Sequence, residues 1–179
     1  MSEMPPPLIE AHLSFADVDQ EGFAALIRDG FGKQLVPGYF EQAHPIAIYV
    51  ALAQSPVQVE GGFGFPYEGV AVVEAIPGLP GVHYLDKLVT SQAKKRNGVG
   101  SGLFATLMAH HPKLVWRADP SNKDANDFYR ARTTSPTTDA WARQHGWHVY
   151  HAPGVRLSDL FVARQYAINK PITLETLTD

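Results

Sequence analysis

Lys95-Arg96-Asn97-Gly98-Val99-Gly100-Ser101 is the stretch that decides how this chain is read. A strand-like run from Val82 to Thr90 leads toward it, and an apolar-faced helix from Ser101 to about His110 follows. Glycines let backbone N–H groups come close to a ligand, and the first N–H groups of a helix attract anions. Lys94, Lys95 and Arg96 add positive charge at the same place, in a chain whose net charge is −3. Together these features read as a pyrophosphate site. The plainer alternative is a tight turn with solvated lysines. A dinucleotide fingerprint is absent, because three strands precede the loop and Gly102 falls too early for a third glycine. No Gly-Lys-Ser/Thr is present for a P-loop.

With 179 residues the chain suits one domain with a sizeable core, expected over residues 14–179 after a loose lead-in at 1–13. Its 45% hydrophobic and 18% charged residues are ordinary for a globular protein. The absence of cysteine excludes disulfides, thiol nucleophiles and thiolate metal sites, and fits a reducing, cytoplasmic setting. The start has no basic-then-apolar pattern, so no signal peptide is expected. The apolar run Ile46 to Ala53 is too short to span a bilayer, so no membrane partner is expected. Slight acidity without a broad basic face argues against nucleic acid.

In chain order, Asp17 or Asp19 caps a helix with an apolar stripe at Phe23, Leu26, Ile27 and Phe31, closed by Gly30 or Gly32. Tyr39 to Gln42 reads as a short helix. Ile46 to Leu52, Val70 to Ile76 and Val82 to Thr90 read as three strands, with a glycine-rich loop from Glu60 to Gly69 between the first two. After the phosphate loop, Leu103, Phe104, Leu107 and Met108 form one helical face, which Pro112 prevents from continuing. Lys113 to Ala118 is a strand, and Ser121 to Asp124 offers a helix start carrying Phe128 and Tyr129. A short helix through Trp141 and a strand from Trp147 to Tyr150 follow. Periodicity leaves Leu160 to Ile168 open between helix and strand.

This order of elements, with Lys95-Arg96-Asn97-Gly98-Val99-Gly100 in its middle, resembles the GNAT N-acetyltransferases. Their loop is usually Arg/Gln-x-x-Gly-x-Gly/Ala, and Lys95 stands at the first position. Asn122, Ala125 and Tyr129 match a second motif of that family, Asn-x-x-Ala-x-x-x-Tyr. Gly30-Phe31-Gly32-Lys33, Ile48-Tyr49-Val50, Tyr84-Leu85-Asp86-Lys87-Leu88-Val89 and Trp116-Arg117 extend the likeness. They resemble the acetyltransferase domain of N-acetylglutamate synthases fused to amino-acid-kinase domains. The chain departs from that group in three ways. It shows no kinase domain, it has Asp119 at the second Arg of Trp-Arg-x-Arg, and its glycine-rich loop near Gly61 looks inserted.

The resemblance implies an α/β (α+β) GNAT fold, a mixed, mostly antiparallel sheet flanked by helices. It also implies acetyl-CoA as cosubstrate with no metal, a small amino acid as acceptor with glutamate foremost, and domains that pair as homodimers. Coenzyme A would lie on Lys95, Arg96, Asn97, Gly98, Val99, Gly100 and Ser101, with its pantetheine along the backbone of Leu88, Val89 and Thr90. Lys87 and Arg117 would hold substrate carboxylates, since a guanidinium pairs with a carboxylate bidentately. Tyr129 would give its proton to the leaving thiolate, and Asn122 would orient the amine or carbonyl. Each role has a plainer counterpart: an ion pair of Lys87 with Asp86 or Asp119, a half-buried aromatic at Tyr129, a helix cap at Asn122. Two rival functions remain beside glutamate acetylation. One is acetylation of another small amine; the other is a regulatory module that binds acetyl-CoA without turnover. His145, His148 and His151 sit at helical spacing, but Gly146 and the aromatic alternation favour turn and strand over a metal site.

Overall fold

The computed structural model describes residues 7–57, 65–133, 136–137 and 146–177. Inside the segment read as a lead-in, Ile9–His12 forms a strand, β1. It runs antiparallel to Ile48–Ala51 of β3 (Pro45–Val57), with Ile9 opposite Ala51 and His12 opposite Ile48. Four residues carry too little periodicity to declare a strand, so the pairing has to come from a partner far along the chain.

Helix α1 (Gln20–Phe31) follows local rules. Asp19 accepts the Gly22 N–H at 2.9 Å, and Gly32, at φ 63°, closes the helix in the left-handed conformation. Strand β2 (Lys33–Leu35) and the short helix α2 (Tyr39–Gln42) come next. Strand β4 (Phe65–Ala75) starts inside the span read as a glycine-rich loop. Gly69 belongs to packing there: a Cβ would meet Leu103 at 2.8 Å and Val99 at 2.9 Å.

Strand β5 (His83–Thr90), helix α3 (Val99–His110), strand β6 (Leu114–Ala118) and helix α4 (Lys123–Arg130) follow in the expected order. Two-residue β7 (Pro136–Thr137) comes next, and β8 (His148–His151) after it. Leu157–Asn169 is a helix, α5, with Leu160, Ala163 and Ala167 buried at helical spacing. Leu157 and Phe161 are exposed, and these outward apolar residues are what blurred the period. Strand β9 (Leu174–Thr176) pairs with β2 in a separate two-stranded sheet. The short helix expected through Trp141 lies outside the described residues, as does His145.

Seven strands hydrogen-bond in the order β1-β3-β4-β5-β6-β8-β7. The β5–β6 pair is parallel, while the β1–β3, β6–β8 and β7–β8 pairs are antiparallel. The chain divides into two compact units. The first comprises the residues up to Val73, Lys87–Thr106 and the segment from Ile172. Its core gathers Phe15, Phe23, Leu26, Ile27, Ile48, Val50, Val70 and Val72, with Phe15 edge-on to Phe23 at 5.4 Å. The second comprises Glu74–Asp86 and Leu107–Pro171, around Ile76, Val82, Tyr84, Val115, Val149 and the buried face of α5. Among the described residues no helix is long and apolar enough to cross a membrane.

Candidate active site

In the first unit β5 ends at Thr90, a 3-10 turn spans Gln92–Lys94, and α3 opens at Val99. Between them Arg96 has φ 71° and Gly98 has φ 83°, both left-handed. A non-glycine residue is rarely held that way, and such strain clusters at ligand-binding turns. The first hydrogen bond of α3 runs from Gly102 N–H to Gly98 C=O at 2.8 Å, so the amides of Val99, Gly100 and Ser101 precede the helical ladder. Lys95, Arg96 and Asn97 are exposed and Val99 is buried, anchoring the turn. Lys94 behaves differently from its neighbours. Its ammonium pairs with the buried Glu68 carboxylate at 2.8 Å, so two exposed cations, not three, stand on the loop. Exposed cations, left-handed turns and a helix start suit a diphosphate.

The β5–β6 ladder joins His83–Leu85 to Leu114–Trp116, and β5 then continues through Lys87, Leu88, Val89 and Thr90. Along it Leu85, Lys87 and Val89 are buried, as their shared face requires. Lys87 is only 3% exposed. Its Nζ donates to Thr173 Oγ1 at 2.5 Å and lies 5.0 Å from the centre of the Tyr39 ring. Thr173 escaped the reading of the sequence because nothing local joins it to a residue 86 positions away.

In the second unit Arg117 lies on β6. Its Nη1 donates to the carbonyls of Ala167, Ile168 and Lys170, its Nη2 to that of Pro171, and its guanidinium stacks on Trp147 at 4.1 Å. It therefore caps the C-terminal end of α5, whose last carbonyls lack helical partners. Of the five guanidinium N–H donors, Nε–H and one on Nη2 have no bond recorded among the described residues. Lys170 adds an ion pair to the buried Glu74 at the same helix end. Burial opposes its charge, but Glu74 prevails and raises its pKa.

Asn122 is exposed and caps α4, its Oδ1 accepting the Ala125 N–H at 3.1 Å. Asp119 accepts the Ser121 N–H at 2.8 Å and hydroxyl at 2.7 Å. Tyr129 is buried between Trp116 and Tyr150, with ring centres at 5.3 Å from each. Burial, then Tyr150, pushes its phenol pKa up, so it stays protonated at neutral pH.

Asn126 is a second residue that reading the sequence missed. Its Nδ2 donates to the Asp119 and Asn122 carbonyls at 2.8 and 2.7 Å. Its Oδ1 accepts from Tyr150 OH at 2.6 Å and meets His148 Nδ1 at 2.9 Å. Because that oxygen can only accept, Nδ1 of His148 carries the proton. The available signal was position: Asn126 is three residues before Tyr129, on the face of α4 that Tyr129 buries. Among the described residues no group of three or more histidines or carboxylates could hold a metal ion.

A profile described as NAT, the N-acetyltransferase of N-acetylglutamate synthase, matches residues 10–156. The chain belongs to this family. Its fold is that of the GNAT acetyltransferases. Among curated relatives it is 25% identical over 137 residues to the acetylglutamate kinase of Xylella fastidiosa, covering 76% of this chain and 27% of that protein. The acetylglutamate kinase of Xanthomonas campestris pv. campestris is 25% identical over 139 residues, 76% of this chain and 28% of the relative. The chain thus spans little more than a quarter of the curated relatives it matches. Solved structures share the fold at low identity. Arabidopsis thaliana NAA60 with a bisubstrate analogue aligns at TM-score 0.57 and 13% identity, covering 82% of this chain and 99% of that one. The Escherichia coli ribosomal-protein-S18-alanine N-acetyltransferase aligns at 0.55 and 14%, covering 83% and 96%.

Proposed function

We propose that the protein moves acetyl from acetyl-CoA to the α-amine of L-glutamate, yielding N-acetylglutamate and coenzyme A, a step of arginine biosynthesis. The match to the N-acetyltransferase of N-acetylglutamate synthase over residues 10–156 carries the reading. The curated relatives, named as acetylglutamate kinases, support it from the other side: such a kinase consumes the product of this reaction.

Acetyl-CoA supplies an activated thioester. Lys95, Arg96, Asn97, Gly98, Val99, Gly100 and Ser101 hold its diphosphate by charge and amides. The backbone of Leu88, Val89 and Thr90 receives the pantetheine, and an amide near Val89 steadies charge on the carbonyl oxygen. The Lys87 ammonium takes a carboxylate of glutamate. Arg117 takes the second through the donors that do not cap α5. Tyr129, protonated at neutral pH, gives its proton to the departing thiolate. Asn122 orients the amine or carbonyl through the carboxamide that also caps α4.

Asp119 favours a second reading, acetylation of a different small amine, because it puts a carboxylate where the resemblance expects a cation. One screen separates the readings: free thiol released from acetyl-CoA in the presence of each amino acid. Glutamate turnover well above aspartate, glutamine and alanine is expected. Turnover of another amine alone replaces the acceptor, and no turnover with any amine leaves a binding module.

A further inference from the structure

Two carboxylates stand at the entrance of the phosphate loop, where simple Coulomb attraction for an anion argues against them. Asp29, near the end of α1, accepts the Gln92 backbone N–H on Oδ2 at 2.7 Å. The Gln92 side chain reaches back to the Gly30 carbonyl at 3.4 Å. Glu68 of β4 accepts the Ser91 N–H on its carbonyl at 2.9 Å and Lys94 on its carboxylate at 2.8 Å. The helix also lies hard against the strand end, since a Cβ on Gly30 would stand 2.1 Å from Val89 Cγ2 and 2.7 Å from the Thr90 carbonyl. Every residue from Val89 to Gln92, and Lys94 with them, is therefore tied to α1 or β4 just before the loop turns left-handed at Arg96 and Gly98.

We infer that Asp29 is a positioning residue for coenzyme A: by fixing the first amide of the Gln92–Lys94 turn, it sets the geometry from which the phosphate-binding loop departs. The inference rests on the reading of residues 95–101 as the diphosphate site. Its strength is that it predicts a sign opposite to charge alone. If Asp29 acted only through its charge, removing it would tighten binding of an anion. If it positions the loop, removing its oxygen weakens binding, while removing only its charge does little.

The test is calorimetric affinity for coenzyme A and for phosphate-free pantetheine, with the acceptor Michaelis constant measured alongside. Asp29→Ala is expected to weaken coenzyme A binding roughly tenfold, as loss of a charge-assisted hydrogen bond allows. Pantetheine affinity and the acceptor constant should hold. Asp29→Asn, which keeps an acceptor oxygen, should bind coenzyme A within about twofold of the wild type. Gln92→Pro deletes the donor instead. Ser91, at φ −60° and ψ 150°, has the conformation that precedes proline, so this variant folds and should match Asp29→Ala. Coenzyme A binding unchanged or tighter in Asp29→Ala, or equal losses for coenzyme A and pantetheine, overturns the inference. Gly98→Val separates the two levels. If it too leaves affinity intact, the loop is not the diphosphate site; if it alone loses affinity, only the role of Asp29 fails.

Discussion

Lys87 and Arg117 look alike in the sequence, each a cation on a strand, yet the protein holds them in different ways. Lys87 is buried in the first unit, with a hydroxyl from Thr173 and the Tyr39 ring about its ammonium. Arg117, in the second, is bonded to four backbone carbonyls at the end of α5 and stacked on Trp147. The contrast teaches that a cation's chemistry depends on how much of it the fold already uses. A guanidinium has donors enough to cap a helix and still receive a carboxylate; an ammonium has three and no fixed fork.

The contrast breaks first on stability. Arg117→Ala abandons four carbonyls together and should cost about 3 kcal/mol in urea unfolding. Lys87→Met keeps the volume and removes a buried charge, so stability should stay within about 1 kcal/mol or rise. Its glutamate Michaelis constant should climb roughly tenfold or more. Equal stability losses would erase the distinction. A Lys87→Met enzyme with wild-type glutamate dependence would remove Lys87 from the acceptor site.

Next comes Tyr129, whose hydroxyl poses the same question of fold against chemistry. Its ring packs on Trp116 and Tyr150, so Tyr129→Phe keeps the packing and removes only the hydroxyl. A general acid of this kind contributes about a hundredfold or more to kcat. The raised phenol pKa means the wild-type group stays protonated through neutral pH and is lost only on the far basic limb. Full kcat across the pH range in Tyr129→Phe would make the residue packing alone.

How much was legible follows the same line between local and distant partners. The α1 helix could be read because Asp19, the Phe23-Leu26-Ile27 stripe and Gly32 lie within one short segment. The loop we propose for the diphosphate stands out because its glycines and cations are contiguous, although Lys94's partner Glu68 could not be seen. Strand β1 and the Lys87–Thr173 bond stayed hidden because each depends on a residue brought from far along the chain. The capping role of Arg117 was hidden for the same reason. Asn122 was different: its cap was visible as an alternative, and that geometry is present.

A smaller effect concerns two polar groups that are occupied with each other. His83 and His111 bring their Nδ1 atoms to 2.9 Å, which requires one bare nitrogen and one N–H. Burial lowers the pKa of His83; burial, then His83 and His110, lowers that of His111 to about 4. Folded values below the unfolded 6.5 mean that the unfolded chain binds more protons between them. Stability should therefore be complete above about pH 6.5 and decline by about 1–2 kcal/mol toward pH 4. Urea midpoints of wild type and His111→Gln, compared at pH 7.5, 5.5 and 4.5, isolate this share from the carboxylates. Parallel curves would mean that the pair is no pH-sensitive element.

The smallest effect is a gain, at Ser91. Its backbone N–H reaches the Glu68 carbonyl at 2.9 Å, but its Oγ is buried and has no hydrogen-bond partner among the described residues. A buried hydroxyl left without a partner costs about 1–3 kcal/mol relative to water, partly offset by the packing of the atom itself. Ser91→Ala removes the oxygen and leaves both the backbone bond and the extended turn entry intact, so it should raise stability by about 0.5–1 kcal/mol. It should also leave coenzyme A affinity unchanged, because the loop's first amide bond belongs to Gln92 and Asp29. Thermal unfolding with and without coenzyme A measures both. A loss of stability would show that the hydroxyl has a role in the fold. A gain in stability with weaker coenzyme A binding would place Ser91, unlike Arg117, among the polar groups that the fold keeps for a ligand.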